Sequence, residues 1–277
     1  MTTTADARLQ AAADVLWDHW QRGARIGALS EAVRPATREA GYGIQALLER
    51  RSAFPLFGWK IAATSQAGQA HIAVDGPLAG RLLRERVRES GGRVPFSRNH
   101  MRVAEAEFAF LMATDLRPRD TPYAIDDVLP AVASLHPAIE VPDSRYEDFT
   151  TVGAAQLIAD NACAGYFVLG PAAPAGWRSI DLARHRVSAR VDGGPPDEQH
   201  QGVGANVLGD PREALVWLVN ELSRLNLPLL AGQVVTTGTC LVPLAAEPGD
   251  HVVADFGAIG TVDVWLNESP VVDSAHA

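Results

Sequence analysis

The chain predicts an α+β protein, with helices gathered at the N-terminus ahead of a body built on a large, mostly antiparallel or mixed sheet. Three observations carry this. Residues 6–51 repeat apolar side chains at helical spacing. From Phe54 onward the texture changes to short apolar runs separated by Gly, Pro, Asn and Asp. Too few helical stretches lie between those runs to cross over every strand pair, as a fully parallel α/β sheet requires. The expected organisation is a helical region over 1–55 and a β-rich core over 56–277, together one continuous domain.

In the first region Ala11-Ala12-Ala13, Val15-Leu16 and Trp20 recur at helical spacing, and 38–51 repeats the pattern with Ile44, Leu47 and Leu48. Pro35 and nearby glycines mark the break between them. Trp17 and Trp20 are expected in the core or at a subunit interface. Strands are expected at 59–63, 105–113, 138–141, 166–170, 187–191, 234–239, 251–255 and 260–266, where Val262-Asp263-Val264-Trp265 alternates like a half-exposed strand. Helices are expected at 125–135 and at 211–225, the latter with Leu215, Leu218, Val219, Leu222 and Leu225 on one face. The stretch 227–246 carries no charge and has about the length that spans a bilayer. Its Pro228, Gly232, Gln233, threonines and Pro243 make it two buried strands joined by a turn instead. Gly193-Gly194-Pro195-Pro196 is expected as an exposed loop.

Composition narrows the function. The 277 residues include 24 Lys+Arg and 33 Asp+Glu, a formal charge of −9, and no basic block. That excludes the concentrated cationic footprint of a nucleic-acid binder. A hydrophobic content of 47% excludes intrinsic disorder. Cys163 and Cys240 stand far apart in no CxxC spacing, so neither a disulfide framework nor a zinc knuckle is expected, and both read as buried thiols. No basic stretch followed by an apolar one opens the chain, and a cytoplasmic protein that contacts neither nucleic acid nor membrane is expected.

One lysine, Lys60, stands in the whole chain; the other 23 basic residues are arginine. Arginine stays protonated at any working pH, whereas a partly buried lysine can lose its proton and act as acid or base. The plain alternative is a position where either cation would serve, and composition alone leaves the two even.

Carboxylates supply the second signal. In Ala104-Glu105-Ala106-Glu107-Phe108-Ala109-Phe110-Leu111 a strand's alternation puts Glu105 and Glu107 on one face and Ala106, Phe108 and Phe110 on the other. The carboxylate face continues into Ala109 and Leu111, toward the core. Two partly buried anions one strand repeat apart need a cation, either an arginine or a divalent metal. Hard oxygen donors favour Mg²⁺, Mn²⁺ or Ca²⁺ over zinc. The competing possibility is a solvated edge face. Glu140 lies in a similar apolar strand, Pro137-Ala138-Ile139-Glu140-Val141-Pro142, and is either a third ligand or the partner of Arg145. Three such oxygens would leave open positions on an octahedral ion for substrate and water. The eight histidines show no paired metal-ligand spacing.

Seven motifs then occur in order: Gly58-Trp59-Lys60-Ile61-Ala62-Ala63-Thr64-Ser65, Val74-Asp75-Gly76-Pro77, Glu105-Ala106-Glu107, Ile139-Glu140 with Asp143-Ser144-Arg145, Ala159-Asp160-Asn161-Ala162, 204–211 from Gly204-Ala205-Asn206 to Asp210-Pro211, and Thr237-Gly238. In these the chain resembles the fumarylacetoacetate hydrolase superfamily, in the branch of 2-keto-4-pentenoate hydratases and 4-oxalocrotonate decarboxylases. The resemblance runs from the N-terminal helices to Leu266. It implies a mixed β-sandwich or roll core, homo-oligomers or a complex with a family relative, and a 2-oxo acid or its enol as substrate. It also implies a divalent ion, Mg²⁺ or else Mn²⁺, held by Glu105, Glu107 and Glu140, with an enolate stabilised on that ion. Lys60 takes the matching general acid/base position, a role worth ~10²–10⁴-fold in rate. Thr237 matches a turn that approaches substrate, and Asp160 with Asn161 matches positions that place Lys60 or a water.

The chain departs from the pattern at Leu78. Hydratases of the branch carry Val-Asp-x-Pro-Asp-Phe-Gly where this chain has Val74-Asp75-Gly76-Pro77-Leu78-Ala79-Gly80. Leucine cannot orient water, and decarboxylases have an apolar residue there. The resemblance therefore implies a hydratase of 2-hydroxypenta-2,4-dienoate type first, a 4-oxalocrotonate-type decarboxylase second. An acylpyruvate C–C hydrolase, or a non-catalytic partner subunit, comes behind both.

Overall fold

A computed structural model describes residues 4–192 and 199–268; the expected loop at Gly193-Gly194-Pro195-Pro196 lies outside them. The chain opens with helices α1 (Thr4–Arg22) and α2 (Arg38–Glu49). Strand β1 (Gly58–Ala62), helix α3 (Gln66–His71) and strands β2 (Leu78–Leu82), β3 (Val87–Glu89), β4 (Gly92–Pro95) and β5 (Val103–Met112) follow. Next come α4 (Ile125–Val128), β6 (Val132–Val141), α5 (Ala154–Ala159), β7 (Tyr166–Leu169), β8 (Arg186–Val191) and β9 (His200–Val203). Helix α6 (Pro211–Arg224) precedes β10 (Val234–Thr239), β11 (Leu244–Ala245), β12 (His251–Asp255) and β13 (Thr261–Asn267).

The strands form two sheets. The larger runs β2-β1-β10-β5-β6-β7-β3, with β11 paired to β5; the smaller runs β4-β13-β12-β8-β9. Pairing is mostly antiparallel, with β1/β10, β3/β7 and β4/β13 parallel. Ala106, Phe108 and Phe110 of β5 face the smaller sheet's Val187, Val252 and Val264 in one buried core, and Phe108 meets Phe256 edge-on at 5.1 Å. The opposite face of β5, predicted to carry Glu105 and Glu107, also carries Ala109, which packs with Ala138, Phe167 and Val234.

Helix α2 starts where Thr37 accepts a hydrogen bond from the Ala40 N–H at 3.2 Å, and its Ile44 and Leu48 join Ala12, Ala13 and Leu16 of α1 in a second core. Trp20 is buried under the Arg145 guanidinium, 4.4 Å from its ring, so its surroundings are core. Helix α6 has Asp210 at its N-cap and Pro211 in its first turn, and buries the expected Leu215, Leu218, Val219 and Leu222.

The helix expected over 125–135 is corrected. Only Ile125–Val128 is α-helical; a single tight turn follows over Leu129–Ala131, and Val132 opens β6, six residues before the expected strand start. Pro130 has no N–H to continue the helix, and 132–135 pair with β5 through Met112↔Val132 and Leu111↔Ser134. The expected pair of strands in 227–246 is β10 and the two-residue β11, with no regular strand before Val234. Strands β2, β3, β4 and β9 and helices α3 and α5 were not expected.

Candidate functional site

Register brings the acidic side chains together. Glu105 lies directly opposite Glu140 across β5/β6, and Glu107 opposite Ala138, so all three glutamates share one face. Lys60 pairs with Thr236 on β10, which pairs with Ala109 on β5, so the lysine stands on that face too. One carboxylate oxygen from each of Glu105, Glu107 and Glu140 lies within 4.8 Å of the others. Lys60 Nζ is 2.9 Å from Glu140 Oε1 and donates a hydrogen bond to the Ala162 carbonyl at 2.9 Å. Glu140, whose partner the sequence left open, pairs with Lys60, and Arg145 pairs with Asp160 instead.

Burial and mutual repulsion dominate the electrostatics. Burial, then the Glu140 charge, pushes the Glu105 carboxyl up to about 7, with Lys60 opposing. Burial and the two other glutamates hold Glu107 well above the usual carboxylate range, and burial raises Glu140 against the pull of Lys60. Burial alone would lower the Lys60 ammonium, but Glu140, Glu105 and Glu107 together outweigh it and raise it. Glu107 Oε2 accepts from the Thr236 hydroxyl and from the Gly238 N–H at 3.0 Å. Gly238 has φ +90°, and a Cβ there would sit 2.4 Å from Thr64 Oγ1, so the close approach needs glycine.

The donor set fits a hard divalent cation. Glu107 Oε1 and Glu140 Oε2 are buried without a hydrogen-bond partner. Three ionised carboxylates against one lysine leave two negative charges, which one divalent ion cancels. Oxygen donors of this kind suit Mg²⁺, Mn²⁺ or Ca²⁺.

Lys60 and Glu105 face a cavity of about 570 Å³, and Leu78 is buried in its wall. Thr237, Asp160 and Asn161 do not line it. Thr237 is buried with its hydroxyl unpartnered, between Thr236 on Glu107 and the cavity-lining Gly238 and Thr239. Asp160 accepts from Ser144 Oγ at 2.8 Å, from the Arg145 N–H at 3.0 Å and from the Arg145 guanidinium. Asn161 spans β2, accepting from the Arg81 N–H at 2.7 Å and donating to the Arg81 carbonyl at 2.8 Å. Both therefore anchor a turn in which Asn161, Ala162 and Cys163 have φ of +56°, +51° and +59°. Each left-handed non-glycine residue costs roughly 1–2 kcal/mol, and the turn persists because these buried bonds over-determine it. It carries the Ala162 carbonyl that accepts the Lys60 hydrogen bond. Backbone acceptors leave no mark in a sequence, so that carbonyl was missed. Thr236, adjacent to the singled-out Thr237, was missed because only register decides which of two threonines faces Glu107.

Comparison with known proteins agrees with this architecture. Residues 82–265 match the family model described as fumarylacetoacetate (FAA) hydrolase C-terminal. The chain belongs to the fumarylacetoacetate hydrolase family. Within the family it is similar to the 2-keto-4-pentenoate hydratase of Paraburkholderia xenovorans, at 32% identity over 91% of this chain and 92% of that protein. It is 33% identical to the 2-hydroxyhexa-2,4-dienoate hydratase of Comamonas testosteroni over 80% of this chain and 82% of that one. Among solved structures it resembles the 4-oxalocrotonate decarboxylase of Pseudomonas putida G7 complexed with magnesium and adipate, with TM-score 0.84 and 26% identity over 94% of this chain and 97% of that one. No helix among the described residues is long and apolar enough to cross a membrane.

Proposed function

We propose that this chain is a divalent-metal-dependent hydro-lyase that hydrates a 2-hydroxypenta-2,4-dienoate-type acid to a 4-hydroxy-2-oxo acid. The observation that carries it is the grouping of Glu105, Glu107 and Glu140 with the chain's one lysine at an apolar cavity. The hydratase relatives, similar over nine-tenths of the chain, support the same reaction class. The three glutamates would hold the ion, Mg²⁺ first and Mn²⁺ second. When bound, it supplies the positive charge that offsets an enolate developing at C2 of a 2-oxo acid.

Lys60 is assigned the proton. The dienol gives up its hydroxyl proton and gains one at C5, and water then adds its hydroxyl at C4 and a proton at C3. Lys60, held between Glu140 and the Ala162 carbonyl, can pass a proton without changing position. Asp160 and Asn161 act through the turn that fixes that carbonyl, and Thr237 offers its unpartnered hydroxyl beside the cavity. Assembly into homo-oligomers or with a family relative is supported by the exposed Phe54 and Leu230, which border a groove with Leu56 and Phe57. A cytoplasmic setting is supported by two unpaired buried thiols.

Decarboxylation of a 4-oxalocrotonate-type acid is the second possibility, favoured by Leu78 in the cavity wall and by the likeness to the Pseudomonas decarboxylase. Proton NMR of the protein with Mg²⁺ and freshly generated 2-hydroxypenta-2,4-dienoate or 2-hydroxymuconate tests both. A new carbinol signal supports hydration, CO₂ loss from the dicarboxylate supports decarboxylation, and no turnover of either overturns the assignment.

A further inference from the structure

Resting on the hydratase assignment, the cavity wall also indicates where the reacting water is held. A 2-oxo acid whose C1 and C2 oxygens sit at the carboxylates places C4 two carbons further into the cavity. Near β2 the wall is made of Ala62, its cross-strand partner Leu78 and Leu157. These side chains offer water no hydrogen bond. Beyond Lys60 and Glu105, the side-chain oxygens and nitrogens on the wall belong, among the described residues, to Thr64, Ser65, His71, Asn206 and Thr239.

Most of these groups already have protein partners. Ser65 Oγ caps α3 by accepting the Gly68 N–H at 3.0 Å, and the Thr239 hydroxyl donates to the Leu241 carbonyl at 2.7 Å. His71 is exposed and meets Phe149 edge-on at 6.0 Å. Thr64 differs. It is 4% exposed, and among the described residues no protein group bonds its hydroxyl. Its backbone is fixed, because Ala63, with φ +59°, turns the chain out of β1 and the Thr64 carbonyl accepts the Leu208 N–H at 3.0 Å. The hydroxyl packs on Gly238, where a Cβ would collide with it, and the Gly238 N–H donates to Glu107 Oε2 at 3.0 Å. One glycine therefore separates the Thr64 hydroxyl from a carboxylate of the cluster. Asn206, two residues before Leu208, donates its Nδ2 to the Cys240 carbonyl at 2.8 Å, which leaves its amide oxygen as an acceptor. A buried hydroxyl with no protein partner is costly unless a water or ligand bonds it. A nucleophilic water in turn needs acceptors for its two protons, so that a lone pair is free to meet carbon.

We infer that the Thr64 hydroxyl, with the Asn206 amide oxygen as second acceptor, holds the water that adds at C4 and then the C4 hydroxyl of the product. The atoms balance without a further reactant. The water oxygen bonds C4, the C3=C4 electron pair takes a proton from Lys60 at C3, and Lys60 regains the proton that the water releases. Thr64 and Asn206 thus supply the hydrogen bonds that Leu78 cannot.

The test separates enzyme-catalysed ketonisation of the dienol, which consumes no water, from hydration, which does. Both are followed by proton NMR in D₂O with Mg²⁺ and 2-hydroxypenta-2,4-dienoate, and calorimetry compares 2-oxopentanoate with 4-hydroxy-2-oxopentanoate. The unmodified protein is expected to bind the 4-hydroxy compound more tightly by roughly fivefold, the worth of one hydrogen bond. Thr64→Val, with Thr64→Ala as a second variant, should keep ketonisation and 2-oxopentanoate affinity within a few-fold. The same variants should lower hydration by about tenfold or more and abolish the preference for the 4-hydroxy compound. Thr64→Ser, which keeps the hydroxyl, should retain hydration. Asn206→Ala should lower hydration in the same selective way, and unchanged hydration would remove Asn206 from the water site. Hydration by Thr64→Val at the unmodified rate overturns the water site and leaves the hydratase assignment standing. Parallel losses in ketonisation, hydration and 2-oxopentanoate affinity also overturn it, since they put Thr64 at the C1–C2 end or in packing. An unmodified protein that hydrates nothing, yet binds the 4-hydroxy compound more tightly through Thr64, overturns the hydratase assignment and retains the C4 subsite. Absence of both overturns both.

Discussion

Lys60→Arg separates proton transfer from simple charge balance. Arginine keeps the positive charge opposite Glu140, so a counter-ion role survives, but its guanidinium does not give up a proton at working pH. The site is also tight. A Cβ placed on Gly80, the residue paired with Lys60 across β1/β2, would lie 2.8 Å from Lys60 Cγ and Cδ, so the stem already touches the neighbouring strand. The longer side chain is expected to cost about 1–3 kcal/mol in folding stability through overpacking. Loss of a general acid/base should cost ~10²–10⁴-fold in kcat, equivalent to about 3–5 kcal/mol of barrier. The assay is kcat beside a metal-binding isotherm and a thermal melt on one preparation. Lowered kcat with metal affinity kept within a few-fold is the expected result. Near-normal kcat in a folded Lys60→Arg protein would refute proton transfer by Lys60.

Four further outcomes follow from the same geometry. Gly80→Ala puts a Cβ 2.6 Å from the Asn161 carbonyl as well as against the Lys60 stem; since a displacement of about 1 Å can cost ~10²-fold, kcat should fall by one to two decades, and an unchanged kcat would contradict the close packing. Glu107→Gln should leave the fold intact, because it relieves carboxylate repulsion, while calorimetry shows Mg²⁺ binding weakened; undiminished binding would remove Glu107 from the ligand set, and turnover that survives exhaustive chelation would remove the metal. Divalent-ion affinity should rise with pH through about 7, by up to about tenfold per unit for each proton displaced, because Glu105 is pushed up to about 7. The raised carboxylates also make the metal-free folded state bind more protons than the unfolded chain between 4.5 and about 7, so its melting temperature should fall as pH rises through that window. Pulling the other way or staying flat would show that the glutamates are not buried against one another.

The sequence by itself determined what depends on local order. Strand alternation put Glu105 and Glu107 on one face, apolar spacing marked the inner side of α6, and composition singled out Lys60 in a chain otherwise served by arginine. Motif order carried the family. Tertiary structure decided what depends on pairing. Residues 132–135 have a helical pattern but became strand because β5 offered hydrogen-bonding partners that a helix ending at Pro130 could not match. Register put Glu140 opposite Glu105, and three-dimensional packing gave Glu140 to Lys60 and Arg145 to Asp160. Asp160 and Asn161 were legible as notable residues, but their contacts with Arg145 and with the Arg81 backbone place them behind the cavity rather than on its wall. In the left-handed turn at Asn161, Ala162 and Cys163 only the asparagine is a residue type that favours positive φ; Ala162 and Cys163 do not announce it, because their strain is sustained by contacts from distant segments. The size and charge of the cavity belong to no single segment, since its wall is assembled from α3, β5 and the chain after β10.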